Sequence, residues 1–159
     1  MYYIGIDNGV SGSIGILNEK KCLYIHTPIK NELSYTKSKQ HINRIVVPAL
    51  IEILTPYTSE CFVTIERPMV NPTRFKATVS AIRALEATII AFEMLKVPYQ
   101  YIDSKEWQKA LLPAGLEKEE LKSASLNIGK RLFPSIDFDD FADADGLLIA
   151  EYTRRNFKR

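Results

Sequence analysis

Three acidic residues stand at the ends of apolar segments of this 159-residue chain, where carboxylates can serve as metal ligands. Asp7 and Glu66 each end a short apolar segment, and Asp145 begins another. Burying an unpaired carboxylate is costly, so these placements need a reason. Each one also fits a structural role: a turn aspartate for Asp7, an ion pair with Arg67 for Glu66, and an acid at a helix N-terminus for Asp145.

Carboxylates that meet at one point repel one another and need cations between them. Ligand sets made only of oxygen favour Mg²⁺ or Mn²⁺ over zinc. Two such ions about 4 Å apart activate water and stabilise the departing 3′ oxygen in phosphodiester hydrolysis, so the acids predict a two-metal nuclease. Other chemistry has less support: His26 and His41 are isolated, and Gly9-Val10-Ser11-Gly12-Ser13 fits a hairpin turn better than a phosphate-binding loop.

Short strands must position the first of these acids. The segments Tyr2–Ile6, Ser13–Leu17 and Lys21–Thr27 are apolar and joined by turn residues, which predicts an antiparallel meander. Thr36–Leu54 has helical spacing, and Pro48 predicts a kink or an interruption in it. The other predicted elements are strands at Cys61–Ile65 and Tyr99–Ile102 and helices at Thr78–Leu95, Ser104–Leu111 (with Ser104 as a candidate cap), Leu116–Phe133 and Ala142–Phe157.

This order predicts an α/β fold: a mixed sheet, made of the three-strand meander plus parallel strands, with helices on both faces. If the strands that end at Asp7 and Glu66 are parallel, both carboxylates leave the same edge of the sheet. Open α/β sheets place their sites at that edge. The length of the chain predicts one domain over residues 1–159.

Composition excludes several classes of protein. Hydrophobic residues make up 46% of the chain and charged residues 25%, which is typical of globular proteins and not of disordered ones. The longest apolar runs are far shorter than the roughly 20 residues of a membrane span, so no membrane association is expected. The N-terminus lacks the pattern of a secretion signal, and Cys22 and Cys61 fit buried free thiols, which predicts a reducing, cytoplasmic location.

Charge is unevenly distributed along the chain. The net charge is only +2, but residues 67–85 contain four basic residues and no acid, whereas five aspartates lie within residues 137–145. Basic surfaces around clustered carboxylates predict a metal site that faces a polyanion, although solvated helix faces would give the same pattern. The C-terminal basic residues predict a weak, salt-sensitive contact with a nucleic-acid backbone: Arg154, Arg155, Lys158 and Arg159.

Four short patterns follow one another over nearly the whole chain. They are Ile4-Gly5-Ile6-Asp7-Asn8-Gly9 with Gly12-Ser13-Ile14-Gly15, Ile65-Glu66-Arg67-Pro68, Asp103-Ser104-Lys105-Glu106-Trp107-Gln108-Lys109, and Ala144-Asp145-Gly146-Leu147-Leu148-Ile149-Ala150-Glu151-Tyr152. Together they resemble the motifs of the RNase H-like nucleases, in particular the RuvC-like Holliday junction resolvases, with phage-encoded members the most similar. The first motif alone is shared with sugar kinases and related ATPases, so the set of four carries the resemblance.

The resemblance implies a homodimer that cuts four-way DNA junctions by paired symmetric nicks and uses a divalent metal. It makes Asp7, Glu66 and Asp145 metal ligands. The family often has an acid or a histidine three residues before the last aspartate, where this chain has Ala142. Asp143 is the favoured fourth ligand and Asp140 the alternative. Either residue reaches the site only if the last helix begins near Asp143, because on a regular helix residues 143 and 145 face nearly opposite sides.

The same resemblance, with the acid-free basic segment, identifies candidate contacts to DNA. Phe75 fits a wedge or a stacking platform at the junction centre, and packing against the next helix fits it equally well. Lys122 resembles a lysine near the family's active site, where it would neutralise the transition state, and an ion pair with Glu119 is the structural alternative. Trp107 is predicted to be a packing residue. The candidate DNA contacts are Arg67, Arg74, Phe75, Lys76 and Arg83.

Two other functions fit the residues. A nuclease of the same fold would act on RNA–DNA hybrids, flaps or forks, and dependence on 2′-hydroxyl groups would identify the hybrid cutter. A non-catalytic junction-binding protein is suggested by Ala142, which stands where the family often has a metal ligand.

Overall fold

The structure, a computed structural model, describes residues 1–37 and 39–157 and is built around a mixed five-stranded sheet. The β-strands of the described chain are β1 (Tyr2–Ile6), β2 (Ser13–Leu17), β3 (Cys22–His26), β4 (Ile29–Leu33), β5 (His41–Ile45), β6 (Cys61–Glu66) and β7 (Tyr99–Ile102). Its α-helices are α1 (Val47–Leu54), α2 (Phe75–Leu95), α3 (Ser104–Leu111), α4 (Leu121–Leu132) and α5 (Asp145–Asn156).

The main sheet has the spatial order β3-β2-β1-β6-β7. The first three strands form the antiparallel meander, and β6 and β7 run parallel to β1. Because β1 and β6 are neighbours with Ile6 opposite Ile65, the residues that follow these two positions leave the sheet at the same edge. A second sheet contains only β4 and β5, which form an antiparallel hairpin.

Helices cover both faces of the main sheet. One core packs sheet residues such as Ile4 and Val63 against Leu50 of α1 and Phe92 of α2. The other core joins α3, α4 and α5 and includes Trp107 and four consecutive buried residues of α5, 147–150. The predicted α/β fold, a mixed sheet with helices on both faces, is therefore confirmed.

Helix α5 lies unusually close to the centre of the sheet. Gly5 of β1 and Gly15 of β2 face it, and a Cβ atom on Gly15 would lie 2.5 Å from the carbonyl oxygen of Gly146. A Cβ atom on Gly5 would overlap the backbone of Gly146 and Ala150. Only glycine permits this approach, and the approach sets the position of the first turn of α5.

The helix predicted over Thr36–Leu54 is wrong in its first half. Residues 41–45 form β5, and the helix itself begins only at Val47, with Pro48 in its first turn. Proline is tolerated in the first turn of a helix because the backbone N–H groups of that turn have no acceptor within the helix, so the N–H that proline lacks is not needed there. The apolar spacing that predicted one long helix comes from the end of a strand followed directly by a short helix.

Most other boundaries lie close to the prediction. Helix α2 begins at Phe75 rather than Thr78, and α4 begins at Leu121 rather than Leu116. Ser104 is the first residue of α3 and not its cap, since Asp103 occupies the cap position. Helix α5 begins at Asp145, three residues later than predicted, and this shift affects the functional site directly.

The predicted basic tail is largely engaged in the fold. Arg154 and Arg155 both pair with the buried carboxylate of Glu151, at 2.7 Å each, and their predicted contact with DNA stays a prediction. Lys158 and Arg159 lie outside the described residues. Cys61 is buried and Cys22 half-buried, both as free thiols. Among the described helices, none has the length and apolarity needed to cross a membrane.

Candidate metal centre

Three aspartates meet at the edge of the sheet. Asp7 directly follows β1, Asp145 is the first residue of α5, and Asp143 lies in the turn before that helix. Each offers a carboxylate oxygen, and these oxygens all lie within 4.8 Å of one another. The close packing of α5 on β1 and β2 brings Asp143 and Asp145 to Asp7, although at least 136 positions of sequence separate either residue from Asp7.

Glu66 ends β6 beside Asp7 but lies outside this closest group. The indole Nε1 of Trp107 donates a hydrogen bond to its Oε2 at 3.0 Å. Trp107 is fully buried, as predicted for a packing residue. Because its ring is held by this packing, its hydrogen bond fixes the orientation of the Glu66 carboxylate. Arg67 does not provide the ion pair considered for Glu66, because its guanidinium pairs with Asp103 at 3.0 Å.

The late start of α5 explains how Asp143 reaches the group. On a helix beginning at Ala142, residues 143 and 145 would point to nearly opposite sides. In the structure the chain is not yet helical at 143, and its carboxylate turns toward Asp7. Asp140, the alternative fourth ligand, is exposed and outside the group. Lys122 pairs with Asp143 Oδ2 at 3.3 Å, so its carboxylate partner is in the site and the alternative pairing with Glu119 is not needed.

Two serines that the sequence analysis did not single out hold the acidic turn in place. Ser125 of α4 donates a hydrogen bond to Asp145 Oδ1, and its oxygen accepts one from the backbone N–H of residue 144 at 3.0 Å. Ser13 of β2 accepts a hydrogen bond from the backbone N–H of residue 146 at 3.2 Å. The chemical type of these residues gives no sequence signal, since serine is common on any surface.

The hydroxyl of Tyr24 completes this network from the third strand. It donates to the backbone oxygen of Asp143 at 3.1 Å and lies 2.9 Å from Ser13 Oγ. Its ring stacks on Phe141, with 4.1 Å between ring centroids, and the ring of His26 also stacks on Phe141, at 4.0 Å between centroids. The segment that carries Asp143 is therefore tied to the sheet by both hydrogen bonds and aromatic packing.

Burial and mutual repulsion raise the pKa values of three of the carboxyl groups. Loss of hydration is the largest cause for each. It raises the pKa of Glu66 to about 7 and that of Asp145 to about 6, with further repulsion from Asp143 in both cases. The pKa of Asp7 is raised well above its ordinary value by burial and then by the charges of Asp145, Glu66 and Asp143. The site therefore lacks positive charge, and Lys122 supplies only part of it.

These raised pKa values predict that the metal-free protein loses stability as pH rises. The folded state holds protons on Glu66 and Asp145 at pH values where the unfolded chain has released them, so stability falls between about pH 4 and pH 7. Each unit of pKa difference is worth about 1.4 kcal/mol, which makes the total a few kcal/mol. Urea unfolding in EDTA at a series of pH values measures the slope. Glu66→Gln should flatten it, and an unchanged slope in that variant would contradict the assignment.

Replacing Trp107 with phenylalanine should impair the site while keeping the core filled. In the wild type, the hydrogen bond from Trp107 to Glu66 Oε2 lowers the pKa of Glu66. Without that bond, the pKa of Glu66 should rise further and its carboxylate should lose its fixed orientation. Loss of such a supporting contact typically costs about 10- to 100-fold in metal affinity or activity. Titration with Mn²⁺ measures the affinity. An equal loss in a core variant far from Glu66, such as Phe92→Leu, would show that the effect is only structural.

The predicted DNA contacts lie directly after β6 or at the start and in the first half of α2. Arg74, Phe75 and Lys76 are exposed at the start of α2. Arg67 pairs with Asp103 and lies over the ring of Tyr101, 5.5 Å from its centroid. Arg83 donates to the backbone oxygen of Asn43 at 3.1 Å, so it anchors β5 to α2. None of these positions by itself tests a contact with DNA, and their roles stay predictions.

The strand order, the helices on both faces and the close docking of the last helix define a RuvC-like α/β fold. Comparison with solved structures supports this class. RuvC of T. thermophilus in complex with a Holliday junction substrate matches 98% of this chain and 96% of its own, with a TM-score of 0.60 and 17% sequence identity. A second structure of Thermus thermophilus RuvC matches the same shares with a TM-score of 0.56 and 17% identity. The RuvC-like fold predicted from the motifs is confirmed.

No family model and no curated protein matches the sequence. At 17% identity the structural likeness establishes the fold. The activity has to be argued from the residues of this chain.

Proposed function

We propose that this chain is a divalent-metal-dependent endonuclease that resolves four-way DNA junctions by paired symmetric nicks. The observation that carries the proposal is the group of aspartates at the sheet edge, whose oxygens lie within 4.8 Å of one another. In the reaction, water adds to phosphorus and the 3′ oxygen departs, leaving a 3′-hydroxyl and a 5′-phosphate that a ligase can rejoin. Residues 1–159 form one nuclease domain in this proposal.

The donor set fits Mg²⁺ or Mn²⁺, with two ions per site. Asp7, Asp143 and Asp145 would hold the ions, and Glu66 would complete the set from the next strand. All donors are oxygen, which hard divalent cations prefer. Burial, and then repulsion between the carboxylates, raises their pKa values, and bound cations would offset both effects. When bound, such ions supply the positive charge that polarises a scissile phosphate and acidifies water.

Residues around the carboxylates prepare the site before DNA arrives. Ser125 and Trp107 fix the orientations of Asp145 and Glu66 through hydrogen bonds, so little reorganisation is needed during the reaction. Lys122 has an exposed ammonium group next to Asp143. From that position it would face a phosphate bound at the carboxylates and neutralise charge that develops on its oxygens.

The DNA would lie across the site and the start of α2. Arg74 and Lys76 are exposed cations beside the exposed ring of Phe75, a combination suited to phosphate contacts and base stacking. Paired nicks require two active sites, and the exposed apolar residues Ile90 and Met94 on α2 support a homodimer that packs through this helix.

The test uses a fixed four-way DNA junction labelled on each strand in turn. The wild type and Asp145→Asn are incubated with it in Mg²⁺, Mn²⁺ or EDTA. Symmetric nicks are expected with the wild type in either metal and not with EDTA or the variant. Asp140→Asn is the matched control, because it removes an exposed aspartate of the same segment that is not part of the group.

The other functions predict different results in the same assay. A non-catalytic binder would bind the junction without cutting it. The structure weakens the argument for that function, since Asp143 supplies the carboxylate that Ala142 lacks. A nuclease for hybrids, flaps or forks would leave the junction intact and cut one of those substrates instead.

A further inference from the structure

A groove lies between the β4–β5 hairpin and the first turns of α2. Its volume is about 410 Å³, within the range of roughly 300–1,000 Å³ typical of small-ligand pockets. We call it the hairpin groove. It is lined from the hairpin by residues such as Tyr35 and Ile42, and from α2 by Phe75, Val79 and Arg83.

The β4–β5 hairpin is attached to α2 by side-chain contacts. Arg83 of α2 donates to the backbone oxygen of Asn43 at 3.1 Å and lies over the Tyr35 ring, 5.7 Å from its centroid. The backbone N–H of Ser34 donates to the oxygen of Gln40 at 2.7 Å and closes the base of the turn. These contacts hold the hairpin against α2 and form one side of the groove.

Two large rings in the groove remain open to solvent. The side chains of Tyr35 and Phe75 are each 72% exposed, although both line the same groove. Exposed aromatic rings in a groove are suited to stacking with a flat partner. Among the described residues, the lining contains the cations Lys76 and Arg83 and no acid. Lys37 and Lys39 on the hairpin turn add two exposed cations nearby.

The groove and the carboxylate site share the turn that follows β1. Val10, which lines the groove, lies in the turn that follows Asp7. That turn is fixed to α2 by Asn8, whose Nδ2 donates to the backbone oxygen of Ala81 at 3.2 Å. A DNA strand that passes over the carboxylates can therefore extend over Val10 into the groove.

We propose that the hairpin groove holds an unstacked nucleobase of the DNA strand that leaves the active site. The ring of the base would lie against Tyr35, and the phosphates of the strand would lie near the surrounding lysines. This inference rests on the proposed nuclease function and gives that function a defined requirement for unpaired DNA beside the cleaved bond. Stacking on aromatic side chains tolerates any base, so the groove would recognise the branched shape and not a sequence.

The test compares two exposed residues of one hairpin. Tyr35→Ala removes the ring from the groove, whereas Leu33→Ala removes a side chain of 62% exposure that does not line it. Both are made in the Asp145→Asn background so that DNA stays intact. Binding of a fluorescein-labelled thymidine oligonucleotide and of the four-way junction is measured by anisotropy. Tyr35→Ala should weaken binding by about 5- to 100-fold, and Tyr35→Phe and Leu33→Ala should stay within about twofold of the parent.

A second measurement locates the base directly. Junctions carrying 5-iododeoxyuridine next to the branch are irradiated, and the crosslinked peptide is identified by mass spectrometry. An adduct on Tyr35 or Phe75 is expected, and adducts found only elsewhere would overturn the proposal.

The remaining outcomes separate this inference from the nuclease function. If the wild type nicks junctions but Tyr35→Ala binds DNA as tightly as Leu33→Ala, the groove is not a base site and the nuclease function stands. If the wild type makes no nicks but Tyr35 is needed for binding, the groove is a base site and the nuclease function fails. If Tyr35→Ala changes the sedimentation mass of the DNA-free protein, the groove is a contact between copies and the proposal is wrong.

Discussion

Replacing Asp7 with asparagine should abolish DNA cleavage and at the same time make the metal-free protein more stable. The carboxylate belongs to the group that would hold the metal ions, whose charge stabilisation is worth several kcal/mol in the transition state. At 1.36 kcal/mol per tenfold, its loss corresponds to about 10³-fold or more in rate. Burial and three neighbouring carboxylates raise the pKa of Asp7, so its ionised form opposes folding at neutral pH. Asparagine keeps the shape and removes that charge.

Both effects are measured on the same preparation. Cleavage of a four-way junction gives the rate, and thermal unfolding in EDTA at pH 7.5 gives the stability. Added Mn²⁺ should raise the melting temperature of the wild type more than that of the variant, because the variant has one ligand fewer. Asp140→Asn should change neither quantity. A lower melting temperature for Asp7→Asn in EDTA would show that this carboxylate stabilises the fold, and full activity would remove it from the site.

Gly5→Ala should destabilise the protein strongly, although it adds a single methyl group. The new Cβ atom would overlap backbone atoms of α5, which cannot move aside as a flexible side chain can. Overpacking of a core costs 1–3 kcal/mol, occasionally more, and a clash with backbone puts this variant at about 3 kcal/mol or above. The helix would have to move away from the sheet and would take Asp145 with it.

Gly115→Ala is the matched control for this variant. Gly115 has a φ of +79°, so alanine is strained there, but a Cβ atom would have no neighbour within 4 Å. We expect a cost of about 1 kcal/mol from backbone strain alone. Urea unfolding of both variants measures the difference. Equal costs for the two would mean that α5 yields to the extra methyl group and that the close approach is not essential.

The strands and the four motifs could be predicted because their signals are local. Each strand of the main sheet is a short apolar run bounded by turn residues, and the acids stand directly at the ends of such runs. The β4–β5 hairpin could not be predicted in this way. Its strands are mostly exposed, so their residues lack an apolar alternation, and the apolar positions of β5 continue into the pattern of α1.

The candidate site was predictable in its acids but not in their support. Asp143 depended on where α5 begins, and sequence patterns locate helix ends only to within a few residues. Ser125, Ser13 and Tyr24 act through hydrogen bonds between elements that are distant in sequence. No periodicity or motif marks such contacts, since they arise only when the helices dock on the sheet.

The two halves of the acidic group come from opposite ends of the chain. Asp7 and Glu66 are in place once the parallel strands have paired, whereas Asp143 and Asp145 arrive only with the docking of α5. A nascent polypeptide that ends before residue 143, or one clipped there by a protease, carries two carboxylates that cannot complete the ligand set. In the proposed nuclease, a partly synthesised chain would therefore lack a complete ligand set until α5, the last described helix in the sequence, docks on the sheet.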